Sequence, residues 1–101
     1  MAISSTVSSD GSELTIAIKG RFDFSSHQDF RGTYENLPTK PSRYVIDMSD
    51  TAYLDSSALG MLLLLRDHAG GDNASIQIKN TSTDVKRILT ISNFEQLFSI
   101  E

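Results

Sequence analysis

Residues 43–71, RYVIDMSDTAYLDSSALGMLLLLRDHAGG, contain the succession of patterns that decides the fold. Between Arg43 and Ser49, Tyr44, Ile46 and Met48 alternate with Val45 and Asp47, which is the period of a β-strand. A helix is predicted from about Ser56 to His68, and it ends at a Gly-Gly pair, a typical C-terminal signal. A strand and a helix joined by a polar turn therefore form the central unit.

The flanking sequence adds elements of the same kinds. Strands are predicted at 3–8, 13–19 and 74–79, with helices from Ser25 or Ser26 to about 37 and from a capping segment at 81–83 to about 91. Strands separated by helices should be parallel, with right-handed crossovers, whereas the polar first strand forms an antiparallel edge. Because the strands alternate, one face of the sheet should stay uncovered. We therefore expect an α/β fold with a mixed sheet of about four strands and helices on one face.

Composition limits the classes of function. The 101 residues suit a single domain, 1–101, and the 39% apolar content is ordinary for a globular protein. A net charge of −4 with scattered basic residues argues against nucleic-acid binding. The absence of cysteine excludes disulfides and thiolate metal sites. Neither a signal peptide nor a membrane-spanning run is apparent, so we expect a cytoplasmic protein without membrane association, and the polar edge strand favours a monomer.

The polar junction at 49–57 is the strongest candidate for a functional site. Function in open parallel sheets concentrates at the carboxyl ends of strands. Asp55 and Ser56 stand where a helix N-cap belongs, and a helix N-terminus offers free N–H groups and a partial positive charge. A phosphate on Ser56 would be tolerated there. Taken alone, however, Asp-Ser-Ser at a helix start favours a simple cap.

The segment from Tyr53 to Gly60 resembles the signature of the STAS family, the anti-sigma factor antagonists. In that signature a hydrophobic residue precedes Asp-Ser-Ser, followed by a small residue, Leu and Gly. Residues 20–23, Gly-Arg-Phe-Asp, also resemble the family's Gly-x-Leu/Phe-Asp turn after the second strand. Ala58 replaces a frequent glycine, and Arg21-Phe22 replaces a charged residue often found before the Asp. These departures concern partner choice rather than the fold, which the resemblance implies is of the STAS type.

The resemblance implies a phosphorylation-controlled partner switch. The unphosphorylated protein would bind an anti-sigma factor and free a sigma factor, a serine kinase would phosphorylate Ser56 to break that complex, and a serine phosphatase would restore it. Asp23 would lie beside the phosphorylation site. We expect Asp23, Asp55, Ser57 and Met61 to contact the partner, with Ser57 as a helix cap or contact residue. No cofactor or metal is expected.

Two alternatives remain open. The chain could be a STAS-like interaction subunit of another assembly, such as a transport or stress complex, in which Ser56 is only a cap. An enzyme is disfavoured, because His27 and His68 stand near helix ends and no nucleophile elbow or phosphate-binding loop is present. Asp47 and Asp50 with Asp55 could suggest Mg²⁺ binding, but no matching basic residue follows a later strand.

The predicted helix after the turn has an unusual composition. Gly60 costs about 1 kcal/mol relative to alanine in a helix, which indicates close backbone approach either to the sheet or to a partner, and packing on the sheet is the favoured explanation. Five apolar residues in a row, 61–65, cannot all lie on one buried stripe. An exposed Met61 or Leu64 beside Ser56 would therefore form a recognition patch.

Overall fold

The computed structural model describes residues 2–101, so Met1 of the expected domain lies outside it. The strands are β1 (Ile3–Val7), β2 (Glu13–Ile18), β3 (Gly20–Phe22), β4 (Arg43–Asp47), β5 (Thr51–Leu54), β6 (Ile76–Lys79) and β7 (Ser99–Ile100). The helices are α1 (His27–Tyr34), α2 (Ser56–His68) and α3 (Thr83–Ile91), with short 3-10 helices at Phe24–Ser26, Gly71–Asn73 and Phe94–Gln96.

The main sheet has five strands in the order β1-β2-β4-β6-β7, with β1 antiparallel to β2 and the other pairs parallel. The register aligns Ile16 with Ile46 and Ile46 with Ile78, so that a row of fully buried isoleucines crosses the sheet. On β2 the alternate residues, such as Thr15, keep partial exposure. The predicted mixed α/β architecture is confirmed.

Three short strands, β3, β5 and β7, escaped prediction. Only β7 joins the main sheet, which therefore has five strands rather than about four. β7 has two residues, and β3 pairs in parallel with β5 as a separate two-stranded ladder. Gly20 was expected only to end β2, but its φ of +78° turns the chain directly into β3. The Gly20 N–H donates to the Asp50 carbonyl at 2.8 Å, and the buried Thr51 hydroxyl donates to the Ile18 carbonyl at 2.8 Å. These bonds attach the small ladder to the end of the main sheet.

The first helix differs from its prediction at both ends. Ser26 occupies the N-cap position of α1, as one of the two expected serines, but its side chain makes no capping hydrogen bond. Asp23 caps the preceding 3-10 helix by accepting from the Ser25 N–H. The helix ends at Tyr34 rather than near Leu37, because the proline after Leu37 disfavours helical backbone before it.

None of the helices within residues 2–101 has the length and hydrophobicity needed to cross a membrane.

Candidate functional site

The small ladder brings two acidic turns to the same end of the sheet. The register pairs Phe22 with Leu54, and both side chains are buried, which anchors the two strand ends. Asp23 and Asp55 follow those residues directly. The sequence separates them by more than thirty positions, and only the parallel pairing of β3 with β5 makes them neighbours.

Asp55 is the N-cap of α2. Its backbone is extended, and its Oδ1 accepts from the Ala58 N–H at 3.0 Å and from the Ser57 hydroxyl at 2.7 Å. These two bonds, led by the one from Ser57, lower the pKa of the Asp55 carboxyl, against the opposing effects of desolvation and then of the nearby Asp23 carboxylate. Asp55 is therefore ionised at neutral pH.

The two serines after this cap are not equivalent. Ser57 is half-buried, and its hydroxyl is bound to Asp55, so it supports the cap instead of forming it. Ser56, the first residue of α2, is exposed, and its hydroxyl makes no side-chain hydrogen bond within the described part of the chain. Of the pair, only Ser56 offers a free hydroxyl to a second protein.

Asp23 supplies the second carboxylate of the site. It accepts from the Ser25 N–H at 3.0 Å and from the Ser25 hydroxyl, and Arg21 Nε lies 3.4 Å from its Oδ2. The Ser25 hydroxyl, followed by the other contacts, lowers the pKa of the Asp23 carboxyl. Two ionised carboxylates therefore stand beside the start of α2.

An aromatic and cationic rim lies next to these acids. Arg21 is paired across the ladder with Tyr53, and its guanidinium carbon is 4.6 Å from the centre of the Tyr53 ring. Phe24 is 71% exposed and stacks on His27 with ring centres 5.6 Å apart. The sequence patterns did not identify Tyr53 or Phe24 as surface residues.

The surface of α2 corrects two expectations. Met61 was expected to contact the partner, but it is only 3% exposed and packs in the core, so its side chain is not available for that contact. Leu64, at 54% exposure, is the residue that reaches the surface. The explanation of Gly60 by sheet packing is also wrong, because a Cβ placed there would meet nothing within 4 Å.

The acidic residues around the turn do not converge on a common point. Asp47 Oδ1 accepts from the Ser49 N–H at 3.0 Å and from Asn80 Nδ2 at 3.1 Å, which ties it to the end of β6. Residues 2–101 contain no group of three or more His, Cys, Asp or Glu side chains that could hold a metal ion.

Comparisons with known proteins agree with this geometry. Residues 5–99 match the family described as "Mlab, STAS domain". Over 100 residues the chain is 64% identical to a STAS-domain containing protein of Pseudomonas aeruginosa (strain UCBPP-PA14), with 99% of each chain covered.

Two solved structures show the same fold at low sequence identity. The anti-sigma factor antagonist SpoIIAA from Bacillus, in its phosphorylated form, has a TM-score of 0.75 at 13% identity, covering 99% of this chain and 91% of that chain. A sulfate transporter family protein from Wolinella succinogenes has a TM-score of 0.75 at 14% identity, covering 93% of this chain and 80% of that chain. At these identities the likeness establishes the fold alone.

Proposed function

The chain belongs to the STAS domain family, and from that premise we propose that it is an anti-sigma factor antagonist controlled by phosphorylation of Ser56. The unmodified domain, residues 1–101 acting as one unit in the cytoplasm, binds an anti-sigma factor and releases the sigma factor that it held. A serine kinase ends this binding, and a serine phosphatase restores it.

The accessibility of Ser56 carries the proposal. Its hydroxyl is exposed and unbonded within the described residues, whereas that of Ser57 is held at 2.7 Å by Asp55. A kinase needs a hydroxyl that it can surround and deprotonate without unfolding its substrate. SpoIIAA, which shares the fold, has been solved in unphosphorylated and phosphorylated forms, and this supports phosphorylation as the means of control.

The charges around Ser56 explain how a phosphate would act. It adds about 1.5 to 2 negative charges at neutral pH, next to the ionised Asp23 and Asp55. The N-terminus of α2 offsets part of this repulsion in the free domain. Under a bound partner, however, the phosphate loses its water. Changing the complex from almost fully bound to almost fully dissociated requires roughly 5.5 kcal/mol. Burying an unpaired charge in the interface costs several kcal/mol, which is a large part of that requirement.

Mimicking the phosphate tests this proposal. We expect Ser56→Asp to abolish binding of the cognate anti-sigma factor in calorimetry while leaving the melting temperature almost unchanged. Ser9→Asp is the matched control, because Ser9 is exposed in the β1–β2 turn at the opposite end of the sheet. Tight binding by the Ser56→Asp variant, or equal loss in the control, would contradict the proposal.

We propose binding rather than catalysis as the activity. The rings of the two histidines face aromatic neighbours, His27 on Phe24 and His68 at 4.9 Å from Tyr34. No side-chain base bonds the Ser56 hydroxyl within the described residues. This arrangement suits a hydroxyl that receives a group from another enzyme rather than one that attacks a substrate.

A second candidate is a subunit of a transport assembly in which Ser56 is only part of a helix start. It is favoured by the structural likeness to a sulfate transporter family protein. Mass spectrometry of the protein from its source cells distinguishes the two. Phosphate on Ser56 under some growth condition supports the switch, and its absence under every condition supports the transport subunit.

A further inference from the structure

Gly60 has no packing role inside the domain. It lies in the middle of α2, where glycine is the least favourable residue after proline. A Cβ added to it would meet no atom within 4 Å, and its φ is not in the left-handed region. Neither the sheet nor the backbone conformation therefore requires glycine at this position.

The geometry of α2 places Gly60 on the same face as Ser56. With roughly 100° between successive residues, Ser56, Gly60, Leu63 and Asp67 form one stripe along the helix. The opposite face carries the buried residues of α2, which are Ala58, Met61, Leu62 and Leu65. Gly60 lies about 6 Å along the axis from Ser56, given the rise per residue.

The remainder of this stripe is apolar in its centre and acidic at its end. Leu63 is 41% exposed and the flanking Leu64 is 54% exposed. The stripe has no charged side chain between Ser56 and Leu64. Asp67 is exposed one turn further, and within residues 2–101 its carboxylate takes part in none of the ion pairs.

We propose that a helix of the partner protein crosses α2 at Gly60, with backbone against backbone. This proposal rests on the proposed function and identifies the contact surface of the same site. The partner helix presents an apolar face to Leu63 and Leu64, and a Lys or Arg to the free carboxylate of Asp67. The missing side chain at Gly60 lets the helix axes approach more closely than the usual 8–10 Å or so.

Close approach at Gly60 also explains why a phosphate on Ser56 would be disruptive. Ser56 lies about one turn away on the same stripe, so its phosphate would project into the narrow space beside the crossing point. A hydrated dianion has no room there, and the partner's backbone cannot retreat without losing the contact at Gly60. The glycine therefore makes the interface sensitive to modification.

The test is Gly60→Ala, with Gly32→Ala as the matched control. Gly32 lies in α1, is exposed, and likewise has nothing within 4 Å of a Cβ position. Both substitutions should raise the melting temperature, by roughly 4–8 °C each, because alanine favours the helix. Only Gly60→Ala should lower the affinity for the partner, by at least about tenfold. Gly60→Leu should lower that affinity further, because its side chain is larger. A variant that is more stable and yet binds less well cannot owe its defect to misfolding.

The anti-sigma factors of the source genome are purified and titrated one by one, by calorimetry, into the unmodified wild-type domain. The one that binds is the probe for the variants. Equal affinity of Gly60→Ala and wild type, or equal weakening by Gly32→Ala, would overturn the crossing at Gly60. If Ser56→Asp still abolishes binding in that case, the proposed function survives. If no anti-sigma factor binds the wild type, both fall. If the wild-type domain self-associates and Gly60→Ala abolishes that self-association, the molecule that crosses α2 is a second copy of this chain. That result would overturn the assignment of the partner.

Discussion

Asp55 and the two serines after it have different tasks although they form one short motif. Asp55 binds backbone and side-chain donors at the start of α2, Ser57 donates to it, and Ser56 is left free. The cap therefore does not depend on the hydroxyl that we propose as the phosphorylation site. This separation lets a charge be added at Ser56 while the helix keeps its N-terminal bonds.

The pH dependence of stability tests the role of Asp55. Because folding lowers the pKa of this carboxyl below its ordinary 3.8, its stabilising effect is fully present above pH 3.8 and is lost as the pH falls through the lowered value. We expect Asp55→Ala to lower the melting temperature at pH 7, with the gap to wild type narrowing in acid.

Thermal melts from pH 7 to pH 2.5 measure this gap. Asp67→Ala is the control, since the Asp67 carboxylate takes part in no ion pair within the described residues, and it should leave the melting temperature nearly unchanged. A gap for Asp55→Ala that stays constant over the whole range would show that the ionised cap is not the source of the stability.

At the scale of elements, α2 has one face for the core and another for solvent. Five consecutive apolar residues obscure this division in the sequence, because hydrophobicity is high all round the helix. Packing decides it: Met61, Leu62 and Leu65 lie against the sheet, while Leu63 and Leu64 do not. Part of the apolar surface of α2 is therefore left for contacts outside the domain.

Two alanine substitutions one turn apart test this division. Met61→Ala should reduce the free energy of unfolding by about 2–5 kcal/mol, because it leaves a cavity in the core. Leu64→Ala should change it by less than about 1 kcal/mol, since over half of that side chain is already in solvent. Urea denaturation of both variants gives the two values. Comparable losses would contradict the assignment of Leu64 to the surface.

At the scale of the whole molecule, both edges of the main sheet discourage pairing with other chains. β1 exposes polar residues, Ser4 to Thr6, and β7 is only two residues long. Short or polar edge strands are poor templates for a further strand. The free domain should therefore stay a monomer, which leaves the surface around Ser56 open to its partner.

Sedimentation equilibrium tests this expectation. The free, unmodified domain should sediment with a mass of 11.1 kDa at micromolar concentrations. A species of twice that mass would mean that an edge strand or the exposed face of α2 is already occupied by a second copy.

The sequence by itself determined the order of the main elements, the parallel arrangement of the central strands and the place of Ser56 at a strand-to-helix turn. The elements and the place of Ser56 follow from local periodicity and capping chemistry, which a short window of residues expresses, and the parallel arrangement follows from the alternation of strands with helices along the chain. Tertiary structure decided which of the apolar residues of α2 are buried, which of the two serines is free, and that Asp23 stands next to Asp55. The burial of α2 and the neighbourhood of Asp23 and Asp55 depend on contacts between segments distant in the chain, and the β3–β5 pairing that joins the two acids involves strands too short to show a period. The difference between the serines depends on the folded geometry of the turn, in which the Ser57 hydroxyl donates to Asp55. For the same reason Gly60 could be recognised as unusual from the sequence, but only the empty space around it shows that the domain itself does not need it.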